Sequence, residues 1–398
     1  MLWLLSIILA ALSVKAVEVP AGTEIHVRLK NRVTTNGSKP NEPVEAIVIE
    51  PILAGGKIVV SAGSMVRGIV KEAQPVSPAH PRAILDLAFN ELSAGGLKSK
   101  LASQVVNVDN ARETVDEKGD IVGILASESL SGRMDQGISK VAQKYAGLAD
   151  VLQAAKGVVL KSAEGEIVYE PGVEMTLKLI QPLQVRAGSD EGAAARLTPV
   201  RDESALIEAV TSQPFRTVAE NPPQASDITN LMFIGTQQQL ESAFTAAGWS
   251  TAAALSAQSK LETFRAIAEM RGYKEAPVST LLLEGRPPDL VYQKQNNTFA
   301  LRHHLRVWRR PGSFDGKPIW VCAATHDVGI DFSEENKTFI HRIDPQIDRE
   351  RAKVVNDLLF TGQVKSLALV ERPAVPHTSQ NATGDQIQTD GQMAVLIF

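Results

Sequence analysis

The chain has a single cysteine, Cys322, in 398 residues. One thiol closes no internal disulfide, so stability must come from buried apolar surface even in an oxidising compartment. Cys322 lies in an apolar stretch, residues 319–324, where a buried inert thiol fits better than a nucleophile. Aromatic residues make up only 5% of the chain, and neither sign of charge dominates: 41 Lys and Arg stand against 45 Asp and Glu, a formal net charge of −4. That balance argues against a general nucleic-acid binder, which needs a basic face. Arg302, Arg306, Arg309 and Arg310 form a local basic cluster, expected as solubilising charge on a strand or hairpin. The sequence has no G-x-S-x-G elbow, P-loop, G-x-G-x-x-G turn, EF-hand loop, His-Glu-x-x-His pair or paired-cysteine zinc signature.

Long apolar runs are also missing. Residues 2–14 are apolar but too few to cross ~30 Å of hydrocarbon as a stable helix. Val14-Lys15-Ala16 follows, with branched and small side chains where a signal peptidase reads them. The expectation is a signal peptide over residues 1–16 and a periplasmic or secreted bacterial protein with peripheral or no membrane contact. No Lys or Arg precedes the apolar run, so an uncleaved N-terminal anchor is the alternative.

Hydrophobic content of 44% and charged content of 22% are ordinary for a globular protein, and the length suggests two domains. The first half is repetitive. Val19-Pro20-Ala21-Gly22-Thr23-Glu24-Ile25-His26-Val27-Arg28-Leu29 matches Tyr169-Glu170-Pro171-Gly172-Val173-Glu174-Met175-Thr176-Leu177-Lys178-Leu179, and residues 60–66 echo both. Each copy puts glycine in a tight turn and then alternates apolar with polar residues, the pattern of a strand half-buried on a barrel or sandwich. Further strands are predicted at 43–53, 65–73, 82–92 and 96–107. Ile138, Val141, Tyr145, Leu148, Leu152 and Ala155 share one face of a predicted amphipathic helix. His26 falls on the polar side of its strand. These glycine-led strands, over roughly residues 18–185, resemble the β-barrel of TrbI-like bacterial conjugation proteins.

Residues 186–226 are rich in Ala, Gly, Pro, Asp and Glu and are expected to form a linker or a connection draped over the surface, with one short helix around residues 202–210. Residues 227–398 mix elements without βαβ regularity, which predicts an α+β domain with a largely antiparallel sheet. Helices are expected at 237–247, 255–271 and from Asp344-Pro345 to Phe360. Strands are expected at 230–234, 278–284, 289–294, 301–309, 318–327, 338–343, 366–371 and 392–398.

Four of the seven histidines fall between Arg302 and Asp348. Histidine titrates near neutral pH and is the commonest metal ligand, so chemistry would concentrate here. The segments are Arg302-His303-His304-Leu305-Arg306-Val307-Trp308, Trp320-Val321-Cys322-Ala323-Ala324-Thr325-His326-Asp327 and His341-Arg342-Ile343-Asp344-Pro345. With Asn230-Leu231-Met232-Phe233-Ile234-Gly235, Ala247-Gly248-Trp249 and Arg286-Pro287-Pro288-Asp289-Leu290, they follow in order a pattern that resembles the LssY C-terminal domain family over about 227–372. Cys322 departs from the small glycine of that pattern. The resemblance implies an envelope context, since such domains often end membrane proteins, and it implies no particular reaction.

Strand parity puts His304, Arg306 and Trp308 on one face, with His303 joining Leu305 and Val307 on the other. Trp320, Cys322, Ala324 and His326 share a face, whereas Asp327 points away from it or lies in the following turn. Pro311-Gly312 and Asp315-Gly316 signal a hairpin, expected to bring His304, Arg306 and His326 together. The candidate site is therefore His304, Arg306, His326, Asp327 and His341. A divalent metal is one option there, with histidine nitrogens and Asp327 or Asp344 as ligands and Arg306 holding an anionic oxygen, although the spacing fits no known zinc signature. The alternative is a polar packing network, with Asp344-Pro345 as a helix cap and Asp348, Glu350 and Arg351 on a solvated helix face. The expected function is an exported envelope module that binds a partner protein or a small anionic ligand. A hydrolase acting on an anionic substrate at these residues is the second expectation.

Overall fold

The computed structural model describes residues 16–128, 164–186, 197–220, 222–252, 278–333 and 338–398, and between 252 and 278 residues 262–263, 265–267, 269–271 and 273. All of the expected signal peptide but Ala16, the helix at 138–155 and most of the helix at 255–271 lie outside the described residues. No helix among those described is long and apolar enough to cross a membrane.

The first domain is a curled antiparallel sheet. Its strands are β1 (Glu24–Leu29), β2 (Pro43–Val48), β3 (Met65–Gln74), β4 (Ile84–Ala94), β5 (Leu97–Lys100), β6 (Ser103–Val108), β7 (Thr114–Val115), β8 (Ile121–Val122) and β9 (Glu174–Leu179). They run in the order β6-β9-β1-β2-β3-β4-β8-β7, with β5 beside β4. The sheet curls back on itself so that β6 approaches β4, where Leu101 N donates to Asn90 O at 2.8 Å and Ser103 Oγ to Phe89 O at 3.2 Å. Alternating residues such as Ile25, Val27, Val44, Ala46, Leu85 and Leu87 fill the interior, as the period-two pattern predicts. The barrel-like fold is as expected.

The two glycine-led repeats pair with each other. Arg28 lies opposite Glu174 and Val27 opposite Met175. Gly22 N donates to Leu179 O at 2.7 Å, and Gly172 N donates to Leu29 O at 2.8 Å, a near-symmetric exchange. Both glycines sit at positive φ, +85° and +101°, where an L side chain is strained. His26 is half-exposed, its side chain 39% accessible.

The second domain contains α1 (Glu203–Thr211), β10 (Arg216–Ala219), β11 (Gln224–Ile228), β12 (Leu231–Ile234), α2 (Gln237–Ala246), β13 (Ser250–Thr251), β14 (Leu281–Leu282), β15 (Leu290–Gln295), β16 (Leu301–Phe314), β17 (Lys317–Ser333), β18 (Thr338–Ile343), α3 (Ile347–Phe360), β19 (Ser366–Glu371) and β20 (Gln392–Ile397). The main sheet has the order β13-β15-β16-β17-β12-β20-β19, with β18 also pairing with β17. Within it only β12 and β20 pair in parallel, so the sheet is largely antiparallel as predicted.

Helices α2 and α3 cover one face: Leu240, Phe244, Val354 and Leu358 pack on Leu305, Val307, Cys322 and Ala324. On the other face Leu206, Val210, Leu281 and Leu283 pack on Trp308, Val321 and Ala323. Trp308 and Trp320 are core anchors whose indole N–H groups donate to Arg286 O and Gly235 O.

Two expectations are corrected. Residues 197–226 are not a bare linker: the short helix expected there is present as α1, which is capped by Asp202, buries Leu206 and Val210 completely, and leads into β10 and β11 of the second domain. An apolar pair at i, i+4 was enough to bury that helix. Helix α3 starts at Ile347 rather than Asp344, because Asp344 Oδ1 accepts from Gln346 N at 2.9 Å in a turn just before it.

Candidate functional site

The register of the β16–β17 hairpin decides what the histidines can do. His303 lies opposite His326, His304 opposite Thr325, Arg302 opposite Asp327 and Arg306 opposite Ala323. Directly opposed residues share a face of the sheet. His326 is therefore with His303, and His304 and Arg306 are on the other side. The expected convergence of His304, Arg306 and His326 does not occur; the sheet divides the five predicted residues into two groups.

The first group is a buried ionic network around Asp327. Arg302 Nε donates to Asp327 Oδ2 at 2.8 Å, His304 Nε2 lies 2.8 Å from Oδ1, and His341 Nδ1 lies 3.0 Å from Oδ2. Asp327 is completely buried. Burial alone would raise its pKa, but His304 and His341 outweigh that and hold it well below the usual carboxylate range. Burial, reinforced by Arg306 and Arg302 and only partly offset by Asp327, pushes His304 down to about 4. His304 is thus a neutral Nε2–H donor, and Arg302 supplies the permanent positive charge. The Arg306 guanidinium, 2% exposed, is taken by Ser279 O and Oγ at 3.0 Å and Asp227 Oδ2 at 3.3 Å. The guanidinium meant to hold an anion is committed to the protein itself.

The second group lies at the seam between the domains. β6 ends at Val108, and a tight turn closed by Ala111 N to Val108 O carries Asp109 and Asn110 out of the barrel. Asn110 adopts φ +52°, a left-handed conformation that asparagine tolerates. His303 Nε2 meets Asp109 Oδ2 at 3.0 Å, and its Nδ1 meets Glu350 Oε2 of α3 at 2.7 Å. Burial opposes the charged ring, but the two carboxylates win and push His303 up to about 10. Asp109 in turn falls to about 2, because His303 outweighs the effect of burial. His326 stacks on His303 with centroids 4.2 Å apart and planes 22° from parallel. Burial and the neighbouring His303 both lower its pKa, leaving it neutral.

Asn110 fixes which tautomer His326 adopts. The amide Nδ2 of Asn110 donates to Lys294 O at 3.3 Å, so its Oδ1 faces His326 Nε2 at 2.8 Å as an acceptor. The proton of His326 is therefore on Nε2 and the lone pair on Nδ1.

A larger ionic cluster holds the seam closed. Arg28 and Glu174, opposite each other on β1 and β9, pair at 2.7 Å. Lys294 of β15 and Lys353 of α3 each join Glu174 to Asp357, and Trp249 Nε1 donates to Asp357 Oδ2 at 2.9 Å. Nearby, Asn297 bridges Arg112 N and Glu113, and Asn296 donates to Asp109 O.

Three of the four LssY-pattern histidines, His303, His304 and His326, thus sit on a long hairpin sandwiched between α2 and α3 on one side and α1 on the other, and His341 lies on β18 beside it. Residues 212–393 match the family described as LssY C-terminus. The second domain is an LssY C-terminal domain. No curated protein matches the chain.

In this LssY domain Cys322 replaces the expected small glycine within the apolar core, not at either polar group, and burial pushes its thiol far above the ordinary value. Glu350 and Arg351 are not on a solvated face as expected: they are 3% and 7% exposed. Arg351 pairs with Asp390 at 2.6 Å. Asp109, Asn110 and Asp227 escaped the sequence reading altogether. The proposed metal set of His304, His326 and His341 is not gathered; the group whose ligand atoms lie within 4.8 Å of one another is Asp109, His303 and His326.

Proposed function

We propose that the chain is an exported bacterial envelope protein that works as a binding module, holding its ligand or partner where the barrel meets the LssY domain. One observation carries this: Asp109 and Asn110 of the barrel complete the His303 and His326 cluster of the other domain. The buried Asp327 network speaks for a framework rather than a hydrolytic pocket, since Asp327 and Arg306 are consumed by Arg302, His304, His341, Asp227 and Ser279. Export is supported by the apolar residues 2–14 and the Val14-Lys15-Ala16 sequence.

A hydrolase for an anionic substrate is the second reading, moved from the His304 group to the seam. It is supported by His326, whose tautomer is fixed by Asn110 beside the carboxylate-held His303. Two experiments separate these. Fractionation of cells expressing the full chain places it in the periplasm or medium if export is right, and in the cytoplasm if it is wrong. A panel of phosphomonoester, phosphodiester and carboxylester substrates shows no turnover for a binding module. Turnover abolished by His326→Ala would establish the hydrolase instead.

A further inference from the structure

We infer that the seam binds a divalent transition-metal ion through Asp109, His303 and His326, with Glu350 orienting His303 from behind. The ligand atoms of these three residues already lie within 4.8 Å of one another, and Asp109 Oδ2 and His303 Nε2 are 3.0 Å apart. Ligands bonded at ~2.0–2.2 Å to one tetrahedral ion stand roughly 3.3–3.6 Å from each other, so side-chain rotation alone closes the set. Two imidazoles and one carboxylate suit zinc, iron(II) or cobalt(II) and not magnesium or calcium, which take oxygen ligands.

Independent features of the site favour an ion. Glu350 Oε2 accepts from His303 Nδ1 at 2.7 Å, the outer-shell carboxylate that metal-bound histidines characteristically have. Its other oxygen, Oε1, is buried with no hydrogen-bond partner among the described residues. Two carboxylates therefore converge on one imidazole, and a dication at Nε2 offsets both. Asp109 keeps 26% of its side chain exposed, which gives the ion a path in and leaves a coordination position for water. On loading, His303 releases its Nε2 proton to solvent and keeps Nδ1–H on Glu350.

The stacked rings add a specific consequence. An imidazole lone pair lies in the ring plane, and planes 22° apart do not both point at a shared ion. His326 must turn about its Cβ–Cγ bond to ligate, and ligation through Nε2 gives up the hydrogen bond to Asn110 and moves the ring proton to Nδ1. Asn110 is then a latch, and removing its side chain tightens the ion.

The inference depends on the seam being the binding site but not on export or on any reaction. Full-length protein dialysed against chelator is titrated with Co²⁺, read by visible absorption, and with Zn²⁺ in competition with a chelating dye. The expected result is one ion per chain, with Asp109→Asn and His326→Ala weakening it more than tenfold. Glu350→Gln weakens it about 10–100-fold. Asn110→Gly, which suits the left-handed backbone, strengthens it severalfold. Near-ultraviolet dichroism and melting without metal verify folding, and Asp109→Asn, isosteric and partly exposed, serves if a histidine variant unfolds. Absence of stoichiometric binding, or binding that Asp109→Asn and His326→Ala leave unchanged, overturns the inference. Neither result bears on the binding-module reading, which the fractionation and the substrate panel test separately.

Discussion

Asn110 Oδ1, on the barrel, stands 2.8 Å from Nε2 of His326 in the LssY domain, a partner 216 residues away in the chain. Asn110→Gly leaves that N–H without its acceptor in a partly buried place while relieving the left-handed backbone. The expected loss is about 1–3 kcal/mol in denaturant unfolding, with an unchanged m-value.

Glu174 is the anion at the centre of the interdomain cluster, facing Arg28, Lys294 and Lys353. Removing one partner of a buried ionic group typically costs about 3–5 kcal/mol, so Glu174→Gln is expected to cost that much near neutral pH. Burial raises the Glu174 pKa, but the three cations outweigh it and hold it well below the ordinary 4.5. A depressed carboxylate stabilises the fold fully above its unfolded value and loses that contribution as the pH falls below it. The stability gap between wild type and Glu174→Gln is therefore constant above the unfolded value of 4.5 and narrows progressively below it, as unfolding curves at a series of pH values would record.

Asp327 balances Arg302 and accepts from His304, all nearly inaccessible to water. Asp327→Asn strands a buried guanidinium and is expected to cost about 3–5 kcal/mol. His304→Asn, which retains a donor and removes no charge, is expected to cost less. Melting temperatures of the two variants in one buffer provide the comparison.

Leu206 is fully buried between α1 and the main sheet. Leu206→Ala is expected to destabilise the LssY domain by about 2–5 kcal/mol. A change below about 0.5 kcal/mol, measured by denaturant unfolding, would mean that α1 is the surface connection its composition suggests.

Much of the framework was readable because period-two alternation and glycine turns are local signals. The repeats around Gly22 and Gly172 predicted β1 and β9, and Gly248 marked the end of α2 with φ +84°. The division of the histidines was also available. The two-residue turn at Asp315-Gly316 pairs Phe314 with Lys317, which puts even positions of β16 with odd positions of β17. The irregularity between Arg309 and Ser313 inserts two residues and preserves that parity, so His304 could face Thr325 or Asp327 but never His326. Asp109, Asn110 and Glu350 were beyond reach because they meet His303 and His326 only through docking of a second domain and a helix packed across the sheet. Glu350 looked solvated, since helical periodicity within α3 does not register the carboxylate-seeking imidazole beneath it.

A double-mutant cycle between Asp109 and His303 decides whether the barrel loop completes the histidine cluster of the LssY domain. Unfolding free energies of the wild type, Asp109→Asn, His303→Gln and the double variant, all free of metal, supply the cycle. Contact at 3.0 Å between a carboxylate and a buried imidazolium predicts a coupling above about 1 kcal/mol. Single effects that add to within about 0.3–0.5 kcal/mol would mean that the two residues do not meet and that the seam is no site.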